Sequence, residues 1–170
     1  MNPKNWNIKK ILKEIAIALL MIFVISNVMS YLRKPTLESN TLPQIEEKLL
    51  DGTLFTNKMI EGKPVIIHFW ATWCPTCKLE AANIQSISEK YRVLTIAVQS
   101  GDNRKIEAYM KENGFDFKVL NDTDGLWAKK FKVEAFPTTF IYDGKGELRF
   151  TEVGYSTTAG LLARISIIDN

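Results

Sequence analysis

The chain has two cysteines, Cys74 and Cys77, and they stand three positions apart in the stretch Trp73-Cys74-Pro75-Thr76-Cys77. What flanks them limits the folds that can hold them. Before them runs PVIIHFWA (Pro64–Ala71), a continuous apolar segment rich in β-branched and aromatic residues, which predicts a central strand covered on both faces. After them Cys77, Ala81, Ile84, Ile87 and Tyr91 recur at spacings of four, three, three and four, one face of a helix. The pair therefore falls at a strand-to-helix junction. Cys74 is expected at the helix N-cap and Pro75 at the first helical position, where a missing N–H costs nothing. Unpaired N–H groups and the helix dipole at that end favour a thiolate on Cys74. Cys77, one turn along, lies within the roughly 4.4–6.8 Å Cα separation that a disulfide needs.

Such a pair is suited to disulfide exchange. Cys74 can attack a partner's disulfide, and Cys77 can resolve the mixed disulfide by closing Cys74–Cys77; the reverse sequence donates a disulfide. Other uses fit less well. A closed zinc site takes four ligands, and two cysteines plus His68 cannot supply them. Haem attachment places His straight after the second cysteine, where Lys78 stands. A purely structural bridge across one helical turn closes a tiny loop and stabilises little. A peroxidase of the peroxiredoxin type is expected to carry Pro and Thr ahead of a lone reactive cysteine, and no proline lies between Pro64 and Cys74. The alternative that stays open is a copper-binding or delivery module with Cys74 and Cys77 as soft ligands. No metal or other cofactor is expected for exchange.

A second feature concerns location. Ile15–Leu32 (IAIALLMIFVISNVMSYL) is 18 residues long without a charge. With Ile11 and Leu12 upstream it is about long enough to cross a ~30 Å hydrocarbon layer. Lys4, Lys9, Lys10 and Lys13 precede it against a single Glu14, which favours a cytoplasmic N-terminus. The expected division is a basic tail at 1–14, a transmembrane anchor at 15–32, a linker at 33–41 around Pro35 and a folded domain at 42–170. Two other readings of the segment are a cleaved signal peptide, with Val28 and Ser30 at positions −3 and −1, and a buried helix, although its apolar residues go all round. The net charge of +3 sits in this tail, since Arg33–Asn170 carries 18 basic and 18 acidic residues. A nucleic-acid-binding stripe on the domain is therefore not expected.

The rest of the domain alternates short apolar runs with helical patterns. Asp51-Gly52 signals a hairpin turn, VLTIAV (Val93–Val98) a second buried strand, and Asn103–Asn113 a helix capped by Asp102 or Asn103 and stopped by Gly114. A strand at FKVL (Phe117–Leu120), a short helix over Asp124–Phe131, a hairpin around Asp143–Gly146 and a last helix over about Thr157–Ile168 follow. That order predicts an α/β fold, a mixed sheet with helices on both faces.

HFWATWCPTCKLE (His68–Glu80) together with EAFPTTFIYDGKGEL (Glu134–Leu148) resembles the thioredoxin superfamily. More narrowly it resembles the membrane-anchored bacterial branch that includes TlpA, ResA, DsbE and ScsD, over about Thr41–Ile168. The resemblance implies a thioredoxin-like fold and a protein disulfide oxidoreductase. It would be anchored by one span in a bacterial inner membrane, with its catalytic domain in the periplasm. Envelope proteins with thiols or disulfides would be its substrates, and a membrane electron donor or acceptor its redox partner. By position Cys74 matches the exposed nucleophile and Cys77 the buried resolving cysteine. Pro137 matches a proline that is cis in the family and lies beside the sulfurs. Trp73, Pro75, Thr76 and Phe136 are expected around the substrate, where the backbone of Phe136 can pair with an extended segment. Glu80 matches an acidic residue of ResA-like members that can raise a thiol pKa and relay protons; an acid favourably placed in the first helical turn is the alternative. Ala81-Ala82 replace the proline that often follows there. His68 occupies the strand position where thioredoxin has a buried Asp, and is expected either as a base or as a hydrogen-bonded core residue. The family leans towards reduction, in cytochrome c maturation or copper stress.

Overall fold

The computed structural model describes residues 8–169, and Lys4 of the basic tail lies outside the described residues. The chain clusters into two units that divide after Arg33. The first is one helix, α1 (Ile8–Leu32), which begins two turns ahead of the uncharged run. Within its Lys10–Leu32 segment an 18-residue window reaches a mean hydropathy of 2.3, and the segment is long and apolar enough to cross a membrane.

The second unit opens with a small hairpin, β1 (Glu46–Lys48) and β2 (Leu54–Thr56), whose connection contains Asp51 and Gly52. Leu49 and Leu50 fall in that connection rather than in a strand. A 3-10 turn over Asn57–Ile60 leads to β3 (Val65–Trp70), buried at every position. Then come α2 (Pro75–Ser88), β4 (Arg92–Val98), α3 (Asn103–Asn113), β5 (Lys118–Asp122) and α4 (Leu126–Lys130). The chain ends with β6 (Thr138–Tyr142), β7 (Leu148–Val153) and α5 (Thr158–Ile168).

The main sheet has the order β5-β4-β3-β6-β7. β3, β4 and β5 run parallel, while β6 is antiparallel to β3 and to β7. The fold is thioredoxin-like, a central mixed sheet with helices on both faces. Side chains alternate across β3, so Val65, Ile67 and Phe69 enter one core with the hairpin residues Leu49 and Phe55 and with Ala128 of α4. Ile66 and Trp70 enter the other core with Ile84 of α2, Ile106 of α3 and Leu161 of α5. β3 thus lies under two layers, which is why it reads as an unbroken apolar run.

The end of the expected linker is part of the sheet's edge. Thr41 bridges Glu147, the Leu42 N–H donates to the Gly146 carbonyl at 2.8 Å, and Leu148 donates to the Asn40 carbonyl at 2.6 Å. Those backbone groups need partners once they leave water, and the turn before β7 supplies them.

Candidate active site

The β3–α2 junction places the cysteine pair. Cys74 is the N-cap of α2, with extended backbone (φ −86°, ψ 116°), and Pro75 starts the first turn. The Cys77 N–H donates to Cys74 Sγ at 3.3 Å, so one of the helix's unpaired donors is turned onto the sulfur. Both cysteines are free thiols. Burial pushes the Cys77 thiol far up, and the neighbouring Cys74 and Glu80 push it further.

Across from the pair, the Phe136–Pro137 peptide is cis. The Cys74 thiol donates to the Phe136 carbonyl at 3.7 Å. The Phe136 ring meets Trp73 edge to face, with centroids 5.7 Å apart. This rim changes one expectation: Cys74 is 5% exposed rather than open, because the Phe136 segment closes over its sulfur. Trp73 and Pro75 are exposed and Thr76 and Phe136 half-buried, so all four stand at the surface around the thiol.

Glu80 is wholly buried and lies beyond the first turn of α2, so the helix-dipole reading does not apply to it. Its Oε1 accepts the Ser156 N–H at 3.0 Å, while Oε2 has no partner. A carboxylate with so few donors is costly to ionise, and burial pushes its pKa up to about 8. Glu80 follows Cys77 by three positions, the spacing that puts two side chains on one helix face.

His68 is buried, with Nδ1 2.9 Å from the hydroxyl of Thr139, its cross-strand neighbour on β6. Burial lowers its pKa to about 3, so at neutral pH it is an uncharged core residue. A base at neutral pH is not what the strand provides there.

Sequence reasoning did not single out Gln99 and Ser100, which follow β4. The Trp73 indole N–H donates to the Gln99 carbonyl at 3.2 Å, and the Thr72 N–H donates to Ser100 Oγ at 3.0 Å. Gln99 has φ +44°, in the left-handed region. Its only sequence signal is the Gly101-Asp102 turn two residues on. The segment Gly154–Ser156 was missed too. Gly154 donates to the Pro137 carbonyl at 2.9 Å, and Ser156 holds Glu80. Among the described residues, no cluster of three or more His, Cys, Asp or Glu side chains is arranged to hold a metal.

Two free thiols at a helix N-terminus, one capping the helix and one buried behind it, facing a cis-proline loop in this fold, define a thioredoxin-like protein disulfide oxidoreductase. The AhpC/TSA family profile matches residues 39–151, and the chain belongs to this thioredoxin-like family. A thioredoxin-like protein of Haemophilus influenzae is 27% identical over 159 residues, 93% of this chain and 95% of that one. The thiol:disulfide interchange protein DsbE of Tatumella citrea is 36% identical over 61% of this chain and 57% of its own length. The crystal structure of StoA from Bacillus subtilis superposes with a TM-score of 0.64 at 27% identity, covering 74% of this chain and 98% of that one. The chain is thus a thiol:disulfide oxidoreductase of the DsbE and StoA type.

Proposed function

We propose that this oxidoreductase works as a membrane-anchored reductase of envelope protein disulfides, with Cys74 as the attacking sulfur. The observation that carries the reading is the Cys74 sulfur at the α2 N-terminus, in contact with the carbonyl before cis-Pro137. In the forward step the Cys74 thiolate forms a bond to one sulfur of a substrate disulfide, and the other sulfur leaves with the electron pair and takes up a proton. Cys77 then attacks Cys74, its proton passing to Glu80 in the fraction of molecules where that carboxyl is ionised, a fraction that grows as pH rises towards 8, and the second substrate sulfur leaves with the electron pair and takes up a proton. The substrate gains two electrons, and a dithiol donor at the membrane returns them to the Cys74–Cys77 bridge.

Support for reduction comes from Cys77. A thiol held strongly protonated by burial does not stabilise the reduced pair as a dianion, and a neighbouring acid opposes that charge further. Trp73, Pro75, Thr76 and Phe136 are assigned to substrate contact. Residues 1–14 are assigned to the cytoplasm, 15–32 to a single inner-membrane span, 33–41 to the linker and 42–170 to the periplasmic redox domain. The length and hydropathy of α1 and the lysines that precede residue 15 support that topology.

The test is trapping. Replacing Cys77 by Ala leaves the first step intact and removes the second, so mixed disulfides between Cys74 and envelope proteins should accumulate on non-reducing gels. Cys74→Ala should give none and should lose insulin reduction. Equal trapping by a Cys74→Ala chain contradicts the assignment.

A further inference from the structure

The surface beside the thiol extends along α2. Pro75, Leu79 and Asn83 recur every four residues and so share one face of the helix. Leu79 is 74% exposed, and Tyr155, which reaches this face from the loop after β7, is 52% exposed. Tyr155 is held in place. The Asn83 side-chain amide donates to the Tyr155 hydroxyl at 3.0 Å and to the Ser156 carbonyl at 2.9 Å. The same loop is bound to Glu80 through the Ser156 N–H and to the proline loop through the Gly154 N–H. Two large apolar side chains are therefore presented to solvent from an anchored surface on the helix that Cys74 caps.

Chain geometry says what reaches them. Leu79 lies five residues from Cys74, about 7.5 Å along the helix axis. An extended polypeptide advances roughly 3.3 Å per residue. A substrate segment bonded to Cys74 and running along α2 towards its C-terminus brings its second or third neighbour level with Leu79. We propose that these two residues form an apolar seat for that neighbour, so the protein selects extended segments with a Leu-, Ile- or Phe-like side chain two or three positions from the reacting cysteine. This rests on Cys74 being the attacking sulfur. Trp73 and Phe136 hold the cysteine itself, while Leu79 and Tyr155 act as specificity determinants one step away.

The test uses the full chain in detergent, with Cys77→Ala so that one sulfur reacts. Its probes are peptides whose single cysteine is disulfide-bonded to thionitrobenzoate. Attack by Cys74 forms the Cys74–peptide disulfide, breaks the peptide S–S bond and releases coloured thionitrobenzoate with the electron pair. One peptide carries Leu at two and three positions either side of its cysteine, and the other carries Ser there. Each rate is divided by the same chain's rate with Ellman's reagent. The expected preference for the Leu peptide is about tenfold, falling below about threefold in Leu79→Ser. Leu79 makes no hydrogen bond through its side chain and is mostly exposed, so that variant folds. Tyr155→Ser is the second variant and should lower the preference in the same direction. A ratio near one in the starting chain, or a preference that both variants retain, overturns the seat. No reaction with Ellman's reagent at all overturns the redox reading beneath it, and the seat with it.

Discussion

Glu80, fully buried and three residues after Cys77 on α2, has one carboxyl oxygen bonded to the Ser156 N–H and the other without a partner. Its folded pKa, about 8, exceeds the ordinary 4.5. Between those values the unfolded chain ionises this residue while the folded chain keeps the proton, so stability falls as pH rises across that window and levels off above it. Glu80→Gln should remove the slope and be more stable than the parent at pH 8 by on the order of 2–3 kcal/mol, read from denaturant midpoints at pH 5 and pH 8. The same variant should slow closure of the Cys74–Cys77 bridge by about tenfold at pH 8 and above, where Glu80 is ionised and can take the Cys77 proton, and by little at pH 5, where it is protonated. An unchanged closure rate would leave Glu80 a structural residue. His68 carries the opposite sign. Its folded pKa of about 3 lies below the usual 6.5, so its contribution is complete above pH 6.5 and is lost as pH falls towards 3. His68→Gln should therefore flatten acid destabilisation between pH 6 and 4 and leave the pH profile of disulfide exchange where it was. A profile displaced near neutrality would restore His68 as a base.

Among the elements, those set by local chemistry were legible in the sequence. The α3 helix starts after Asp102, whose side chain accepts from Lys105, and stops at Gly114 in the left-handed region, as capping residues at both ends indicate. Cys74 and Pro75 fall at the cap and first turn of α2 by the same logic. What was not legible depends on tertiary contact. Nothing local marks Gln99 as the acceptor for Trp73, or Gly154–Ser156 as the clasp on Glu80, because each meets its partner across more than 16 residues of chain. Burial of Cys74 likewise comes from Phe136 on a distant loop. Two elements give direct tests. Thr157 caps α5 by accepting the Gly160 N–H at 3.1 Å, and Thr157→Ala should cost about 1 kcal/mol in chemical denaturation. Gly144 in the β6–β7 turn has no room for a side chain, since a Cβ there would lie 2.8 Å from the Gly62 backbone carbon. Gly144→Ala should destabilise by roughly 1–3 kcal/mol, because the obstacle is backbone that cannot rotate aside.

For the molecule as a whole, the thioredoxin-like fold gathers a strand end, a helix start and a proline loop at one place, and the sulfur chemistry depends on all three. The N-terminal helix is a candidate membrane span. Full-length protein expressed in a bacterial host should stay in the membrane fraction after alkaline carbonate washing, and its domain should be digested by protease added outside the inner membrane; release into the soluble fraction would argue for a cleaved segment. The most direct test of the redox account is equilibration of the purified full chain in glutathione redox buffers, with thiols trapped by alkylation and masses read for each state. A single two-electron transition is expected, in which Cys74 and Cys77 lose two hydrogens together as an internal bridge. Its midpoint should lie nearer thioredoxin's value of about −270 mV than the roughly −120 mV of a strong oxidant such as DsbA. Glutathione adducts with no internal bridge at any buffer ratio would contradict it.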